Sequence, residues 1–231
     1  MKIVSIHSSP SSNGNTATLV KRLSNELEKL GAEVELIDLA KENLLFCKGC
    51  MSCLRTGKCV IPDSLERIRN LMIEADGLIL GSPTYAIAPN AIMKNFLDRI
   101  GIFNAYSAMF GTKYIIGVST AGGVGAKSVA KQLTNLVLCP FRHGKVVGTL
   151  YAYVGMNHVN DLSGLDKKIS KLALKMFTAI ERKKLYPFQR FFLKLLHKLV
   201  VRRFFYKNLI RNKKSMQAVY NYMVENKLIT T

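Results

Sequence analysis

The chain has 231 residues, of which 48% are hydrophobic, and its formal net charge at pH 7 is +19. This length suits one α/β domain with an appendage, or at most two small domains. No uncharged apolar run reaches the roughly 18 residues of a membrane span, and the chain begins with a strand pattern rather than a signal peptide, so we expect a cytoplasmic protein.

Strand and helix patterns alternate along the first 182 residues. The apolar, β-branched segments predict five strands, at 2–7, 33–39, 77–80, 113–118 and 145–154. Segments with helical periodicity predict five helices, at 16–30, 63–75, 89–100, 124–136 and 161–182. Such alternation is typical of an α/β protein with a doubly wound parallel sheet. We therefore expect one domain over residues 1–182 and a separate helical extension over 183–231.

A polar loop, Ser8-Ser9-Pro10-Ser11-Ser12-Asn13-Gly14-Asn15-Thr16, joins the first strand to the first helix. Backbone N–H groups at a helix N-terminus attract anions, and here hydroxyl and amide side chains add further neutral donors. The loop matches neither the Walker A pattern nor the Gly-x-Gly-x-x-Gly pattern. It predicts a phosphate cradle, and the alternative is an ordinary helix cap with polar turn residues. His7, just before it, is either a packed residue or a proton donor.

Two further polar loops follow the third and fourth strands, at 81–85 and 119–123. The carboxyl ends of the strands in a doubly wound sheet carry the ligand, at the point where the strand order reverses. Three polar loops at one edge therefore favour a ligand site over a set of plain connecting turns.

These loops resemble those of one known family. Ser9-Pro10 with Gly14-Asn15-Thr16, Gly81-Ser82-Pro83-Thr84-Tyr85 with Met93–Arg99, and Ser119-Thr120-Ala121-Gly122-Gly123 resemble the NADPH-dependent FMN reductase and iron-sulfur flavoprotein family over about residues 1–180. The resemblance implies a flavodoxin-like fold with strand order 2-1-3-4-5, FMN as cofactor and NAD(P)H as co-substrate. Where the family often has Gly-Ser-Pro-Arg, this chain has Ser8-Ser9-Pro10-Ser11, which weakens any preference for NADPH over NADH.

The resemblance also implies which residues bind FMN. The phosphate would be held by the first loop, through Ser9, Ser11, Asn13, Gly14, Asn15 and Thr16. One side of the isoalloxazine ring would be bordered by the second loop, through Pro83, Thr84 and Tyr85. The pyrimidine edge would be approached by the third loop, through Thr120, Ala121, Gly122 and Gly123. Tyr85 would also shape the pocket for the electron acceptor, and no side chain is expected to act as a nucleophile.

Four cysteines with the spacing C-x2-C-x2-C-x5-C lie between the second and third strands: Cys47, Cys50, Cys53 and Cys59. In a reducing compartment such spacing indicates metal or redox use rather than disulfides. The motif resembles that of iron-sulfur flavoproteins, whose four cysteines hold a [4Fe–4S] cluster. Zinc and a metal-free loop near a dimer interface are the alternatives. Nearby Lys48, Arg55 and Lys58 are expected to lower the thiol pKa values.

The C-terminal extension is strongly basic. From Arg182 to Val224 there are twelve Lys and Arg residues and no acidic residue. Between Phe188 and Arg203 the pattern predicts an amphipathic helix whose basic residues lie within an arc of about 140°, namely Arg190, Lys194, His197, Lys198 and Arg202. We favour packing of its apolar side on the core or a second subunit, with contact to an anionic membrane as the alternative. No nucleic-acid binding is expected, because no recognised motif accompanies the charge.

The sequence thus predicts an FMN-dependent NAD(P)H oxidoreductase that passes electrons to a quinone, a nitro or azo compound, a flavin or a protein. The alternative is an iron-sulfur flavoprotein that carries electrons without catalysing turnover. The resemblance implies a homodimer, because FMN sites in this family commonly lie near a subunit interface.

Overall fold

The computed structural model describes residues 1–139, 142–196 and 202–229. Its central sheet contains five parallel strands, which are β1 (Lys2–His7), β2 (Glu33–Asp38), β3 (Gly77–Tyr85), β5 (Tyr114–Ala121) and β8 (Lys145–Tyr153). Their spatial order is β2-β1-β3-β5-β8. A short strand β4 (Ala88–Pro89) pairs antiparallel with β3, and β6 (Leu138–Cys139) pairs antiparallel with β7 (Arg142–His143).

The helices cover both faces of the sheet. In chain order they are α1 (Asn15–Lys29), α2 (Ser52–Thr56), α3 (Leu65–Glu74), α4 (Ala91–Ser107), α5 (Ala126–Thr134), α6 (Leu165–Glu181), α7 (Pro187–Leu196), α8 (Arg202–Arg211) and α9 (Gln217–Glu225). One core lies between the sheet and helices α1 and α6, and a second contains buried side chains of α3, α4 and α9. Within the described residues, no helix is long and apolar enough to cross a membrane.

The predicted flavodoxin-like topology is confirmed, because the five parallel strands follow the order 2-1-3-4-5 along the sheet. The apolar runs that predict the three inner strands, β1, β3 and β5, are buried on both faces, as expected for parallel strands covered by helices, whereas the edge strands β2 and β8 are partly exposed.

The prediction that residues 81–85 form a loop is wrong. Strand β3 continues to Tyr85, because Ser82 and Pro83 pair with Ser119 and Thr120 of β5. The chain then turns back through Ala86 and Ile87, both with positive φ, into β4. Residues 81–83 are buried within the strand, whereas Tyr85 at its end is exposed. The first three residues of the predicted loop at 119–123 likewise belong to a strand, since β5 continues to Ala121.

Candidate functional site

A cleft with a volume of about 280 Å³ opens at the carboxyl edge of the sheet. Residues of all three polar segments line it, as expected where the strand order reverses. The lining consists of Ser9, Pro10, Ser11, Gly14, Asn15, Thr16, Pro83, Thr84, Tyr85, Thr120, Ala121, Gly122 and Val154. Of the predicted binding residues, only Asn13 and Gly123 are outside this lining. Pro10, which belonged to the quoted motif but not to the predicted binding residues, and Val154 are additional members of the lining.

The first segment presents free hydrogen-bond donors at the N-terminus of α1. Gly14 is the N-cap and no side chain caps the helix, so the first-turn amides of Asn15 and Thr16 have no acceptor in the described part of the chain. A Cβ at Gly14 would lie 2.6 Å from the Ser9 hydroxyl oxygen and 3.1 Å from the Ser11 carbonyl oxygen. The absence of a side chain at Gly14 therefore leaves the Ser9 hydroxyl in place at the cleft wall, where a phosphate would accept hydrogen bonds.

Asn90 connects the first two segments of the cleft through buried hydrogen bonds to Ser8 and Ser82. Its side-chain amide nitrogen donates to the Ser8 carbonyl at 2.6 Å, and the Ser8 hydroxyl donates to its amide oxygen at 2.7 Å. The Asn90 backbone N–H donates to the Ser82 hydroxyl at 3.0 Å, and the Ser119 hydroxyl donates to the Ser82 carbonyl at 2.7 Å. All four residues are buried. The sequence analysis missed Asn90, although an asparagine directly after Pro89 at a helix start is a recognisable N-cap.

The hydroxyls of Thr16 and Thr120 form a buried hydrogen bond of 2.7 Å between α1 and the end of β5. Replacing Thr120 with valine would leave the Thr16 hydroxyl buried without this partner, so we expect the free energy of unfolding to fall by about 1 kcal/mol. Urea denaturation of the apoprotein would measure this loss. The double variant Thr16→Val/Thr120→Val should recover part of it, because both polar groups are then gone; a strictly additive double variant would contradict the expectation.

Residues 157–159 close one end of the first segment. The Asn15 amide oxygen accepts from the Val159 backbone N–H at 2.8 Å, and its amide nitrogen donates to the Asn157 carbonyl at 3.2 Å. The His158 ring Nε2 lies 3.1 Å from the Asn13 carbonyl oxygen. The Asn15 side-chain amide therefore already forms hydrogen bonds within the protein, and only the backbone N–H of this residue is free to bind a ligand.

His7 lies outside the cleft. It is only 1% exposed, its Nδ1 is 3.6 Å from the nearer Asp38 carboxylate oxygen, and this nitrogen has no hydrogen-bond partner among the described residues. Burial lowers the pKa of His7 below the ordinary 6.5, and Lys21 and Lys41 lower it further, against the opposing effect of Asp38. This arrangement favours a packed, neutral histidine over the proton donor considered from the sequence.

The lowered pKa of His7 predicts a pH dependence of stability. Below pH 6.5 the unfolded chain takes up the histidine proton more readily than the folded one, so the free energy of unfolding should fall as the pH drops. The fall from this group is at most about 1.4 kcal/mol per pH unit. Urea denaturation at about pH 7.5 and about pH 5.5 would measure it. The variant His7→Asn should show a smaller difference between the two values; an equal difference would contradict the assignment.

All four predicted cysteines line a second, nearly closed cavity of about 20 Å³, which has room for a single water. The rest of its wall is formed by Lys48, Met51, Val60, Ile61, Arg99 and Ile102. Cys47 and Cys50 are exposed, whereas Cys53 and Cys59 are half-buried, and all four are free thiols. Within the described ranges, no three cysteine, histidine or acidic side chains are arranged as ligands of a metal ion. The donor set suits a cluster, but the exposed cysteines would have to move to enclose one.

The expected lowering of the thiol pKa values is wrong for Cys53. Burial raises the pKa of this thiol, and neighbouring Cys59 and Cys50 raise it further. Basic residues near the motif in sequence do not outweigh these effects, because burial disfavours the thiolate.

Two residues of α4, one turn apart, hold the cysteine loop against the domain. Asn95 donates from its amide nitrogen to the Leu45 carbonyl at 3.2 Å and accepts from the Cys47 backbone N–H at 3.2 Å. Arg99 donates to the Cys59 sulfur at 3.1 Å and to the Leu45 carbonyl at 3.0 Å, and it forms an ion pair with Asp63. The sequence analysis included both residues in a motif but assigned neither of them this role.

The Arg99–Asp63 pair is buried, with side chains that are 0% and 2% exposed. Burial alone would raise the pKa of Asp63, but the hydrogen bonds and charge of Arg99 bring that pKa below its usual value. The Arg99 Nε atom is also buried and has no hydrogen-bond partner within the described residues. A residue that lines the cysteine cavity therefore has one N–H donor without a partner among the described residues.

The sequence and the fold of this chain are both similar to those of known proteins. The sequence profile described as NADPH-dependent FMN reductase matches residues 1–159. An iron-sulfur flavoprotein of Archaeoglobus fulgidus is 31% identical over 176 residues, which are 74% of this chain and 80% of that protein. The solved structure of a flavone reductase has a TM-score of 0.62 at 16% identity and covers 80% of this chain and 66% of that chain. A flavodoxin from the domain Archaea has a TM-score of 0.50 at 14% identity and covers 78% of this chain and 99% of that chain. The two structures are similar in fold alone.

Proposed function

Because the chain belongs to the NADPH-dependent FMN reductase family and has an iron-sulfur flavoprotein among its relatives, we propose that it binds FMN in the cleft and oxidises NAD(P)H. The observation that carries this proposal is the convergence of three polar segments on one cleft, with free donors at the N-terminus of α1. When bound, FMN would accept a hydride from the nicotinamide and pass electrons to a second substrate.

The residues of the cleft fit the parts of FMN. The Ser9 and Ser11 hydroxyls and the first-turn amides of Asn15 and Thr16 would hold the phosphate without a charged side chain. At the opposite wall, the Ala121 and Gly122 carbonyls accept from the Val154 and Gly155 N–H groups at 2.9 Å, which fixes the end of β5.

The flat ring would lie beside this fixed backbone. A Cβ at Gly122 would meet only the Gly155 carbonyl oxygen, at 3.8 Å, so the space next to Gly122 is open to a ligand. Tyr85 is exposed at the mouth of the cleft, where it would border both the ring and the acceptor. We propose a quinone, a nitro or azo compound, a flavin or a protein as acceptor.

Reconstitution tests the proposal. Purified protein should take up one FMN per chain at micromolar concentration and then oxidise NADPH or NADH with a quinone as acceptor. Absorbance of the nicotinamide follows turnover, and comparison of the two nicotinamides gives the preference. If the protein takes up no FMN at micromolar levels, the proposed function is wrong.

A second candidate function is electron transfer through an iron-sulfur centre, and the observation that favours it is the lining of one cavity by all four cysteines. In this reading Cys47, Cys50, Cys53 and Cys59 would hold a [4Fe–4S] cluster, which would exchange single electrons with a docked protein. Arg99, which lines the cavity and has one N–H without a partner among the described residues, would donate to a cluster sulfur.

Metal analysis and a visible spectrum on protein purified without air would test this candidate. About four irons per chain with a broad shoulder near ~400 nm would support it, and Cys53→Ser should remove both signals. Cys53→Ser should leave FMN uptake intact, because Cys53 lies outside the cleft. Flavin absorption without metal would leave a simple FMN-dependent reductase, and about one zinc per chain would indicate a structural site instead.

We also propose a homodimer that covers the mouth of the cleft. Tyr85 lines the cleft, Ile87 follows it by two residues and Val124 follows Gly122 of the cleft by two residues. All three are exposed apolar side chains, and burying them against a second copy would stabilise the assembly. Light scattering would measure the molar mass, and Ile87→Glu should shift it toward that of a monomer. A wild-type monomer at micromolar concentration would contradict this proposal.

A further inference from the structure

Helix α7 is attached to the edge of the sheet by a side chain. The Gln189 amide oxygen accepts from the Val146 backbone N–H at 3.1 Å, and its amide nitrogen donates to the Val146 carbonyl at 3.0 Å. Strand β8, which contains Val146, lies at the end of the sheet. Gln189 thus provides the hydrogen bonds that a further strand would make, and it fixes which side of α7 faces the domain.

The opposite side of α7 is apolar and exposed. At 100° per residue, Phe188, Phe191 and Leu195 lie within an arc of about 60°, and each is about 100° or more away from Gln189. Their exposed fractions are 89%, 70% and 44%. The sequence analysis favoured packing on the core or on a second subunit, and packing on the core does not occur for these three side chains. Three large apolar groups on one exposed helix face form a patch rather than scattered surface residues.

The charge around this apolar patch is positive. Arg182, Lys183 and Lys184 are exposed immediately before α7. The sequence from Arg182 to Val224 contains twelve basic residues and no acidic one. A nucleic acid would neutralise the cations but would leave the phenylalanines in water. An anionic bilayer surface can bind both the basic residues and the phenylalanines, since its headgroups attract cations and its acyl boundary accepts apolar side chains.

We propose that α7 docks this protein on the surface of an anionic membrane. Phe188, Phe191 and Leu195 enter the boundary between headgroups and acyl chains, and the preceding basic residues contact the headgroups. Gln189 holds the helix against the edge of the sheet and thereby keeps the apolar patch facing outward. The proposal is independent of the cofactor, because it rests on α7 and its attachment alone.

The absence of tryptophan from the chain gives a direct test. In the full-length variant Phe191→Trp, the only indole reports on the apolar patch. Its emission should shift to shorter wavelength with vesicles of phosphatidylglycerol and phosphatidylcholine in about equal parts, and it should not shift with phosphatidylcholine alone. Raising the salt from about 0.1 M to about 0.5 M should reverse the shift, because it screens the attraction between the basic residues and the headgroups.

Sedimentation with vesicles tests the role of the apolar side chains. The double variant Phe188→Ser/Phe191→Ser should lower the partition coefficient by at least about tenfold, since two buried aromatic side chains are lost from the interface. The control Leu174→Ser changes an exposed leucine on α6 and should bind like the wild type. Circular dichroism would verify that each variant is folded, as expected for exposed positions.

The proposal is overturned by no binding to anionic vesicles at low salt, by equal binding to neutral vesicles, or by undiminished binding of the double variant. If the double variant instead changed a dimer into a monomer while vesicles bound neither form, the occupant of the patch would be a second copy of the chain. Binding of a DNA duplex without lipid binding would also overturn it.

Discussion

Replacing Arg99 with leucine should lower the free energy of unfolding by about 3 kcal/mol. The substitution would leave the Asp63 carboxylate buried without its ionic partner, and removing one member of a buried pair costs far more than removing an exposed one. It would also remove the hydrogen bonds from Arg99 to the Leu45 carbonyl and the Cys59 sulfur. Urea denaturation would measure the stability, and reaction with a thiol reagent should show faster modification of Cys59.

The same helix offers a matched control for this variant. Lys94 and Asp98 form an exposed ion pair on α4, and Lys94→Gln should change the stability little, because water already solvates both charges. A loss in Arg99→Leu no larger than that in Lys94→Gln would show that the buried pair does not anchor the cysteine loop.

The wild type should also lose stability in acid. The folded-state pKa of Asp63 is lowered, so the free energy of unfolding should fall as the pH drops below the usual pKa of 3.8 and Asp63 is protonated.

Replacing Gly14 with valine should weaken FMN binding by about tenfold to a hundredfold. The new Cβ would lie 2.6 Å from the Ser9 hydroxyl oxygen, and the backbone oxygen of Ser11 at 3.1 Å leaves little room on the other side. Overpacking of this kind typically costs about 1–3 kcal/mol of stability. Here the new side chain would displace the Ser9 hydroxyl from the cleft wall. Titration of the apoprotein with FMN, followed by quenching of flavin fluorescence, would give the dissociation constant.

Gly101→Ala is the control for this change. Nothing lies within 4 Å of a Cβ at Gly101, which is in the middle of α4 and outside the cleft, so FMN binding should be unchanged. Retained FMN affinity in Gly14→Val would mean that the phosphate is held elsewhere than in the loop before α1.

Much of the cleft was predictable because its residues lie at or just after the carboxyl ends of parallel strands. A polar segment that begins where a buried parallel strand ends must lie at the carboxyl edge of the sheet, so Ser9, Thr84 and Thr120 were expected to meet. The features that were not predicted are hydrogen bonds between segments that are far apart in the sequence. The Asn15 side chain bonds to residues 157–159 and Asn90 bonds to Ser8, and neither contact has a local sequence signal.

The environment of the cysteine loop also depends on contacts that the local sequence does not indicate. Its spacing predicted four thiols in one place, and all four line one cavity. Their environment depends on Arg99, which is 40 residues away from Cys59 in sequence, and on burial, which raises rather than lowers the pKa of Cys53. Sequence neighbours with positive charge were a poor guide, because electrostatic effects follow distance in space and exposure to water.

The sequence by itself determined the order of strands and helices, the positions of the three polar segments and the cysteine spacing. Each of these follows from a local period of apolar residues or from a short motif, and such patterns are formed by neighbours along the chain. The tertiary structure alone decided that β3 continues to Tyr85, that Arg99 and Asp63 anchor the cysteine loop, and that α7 presents Phe188 and Phe191 to the outside. These features depend on pairing, burial and hydrogen bonds between segments far apart in sequence, which form only when the sheet and its helices have assembled.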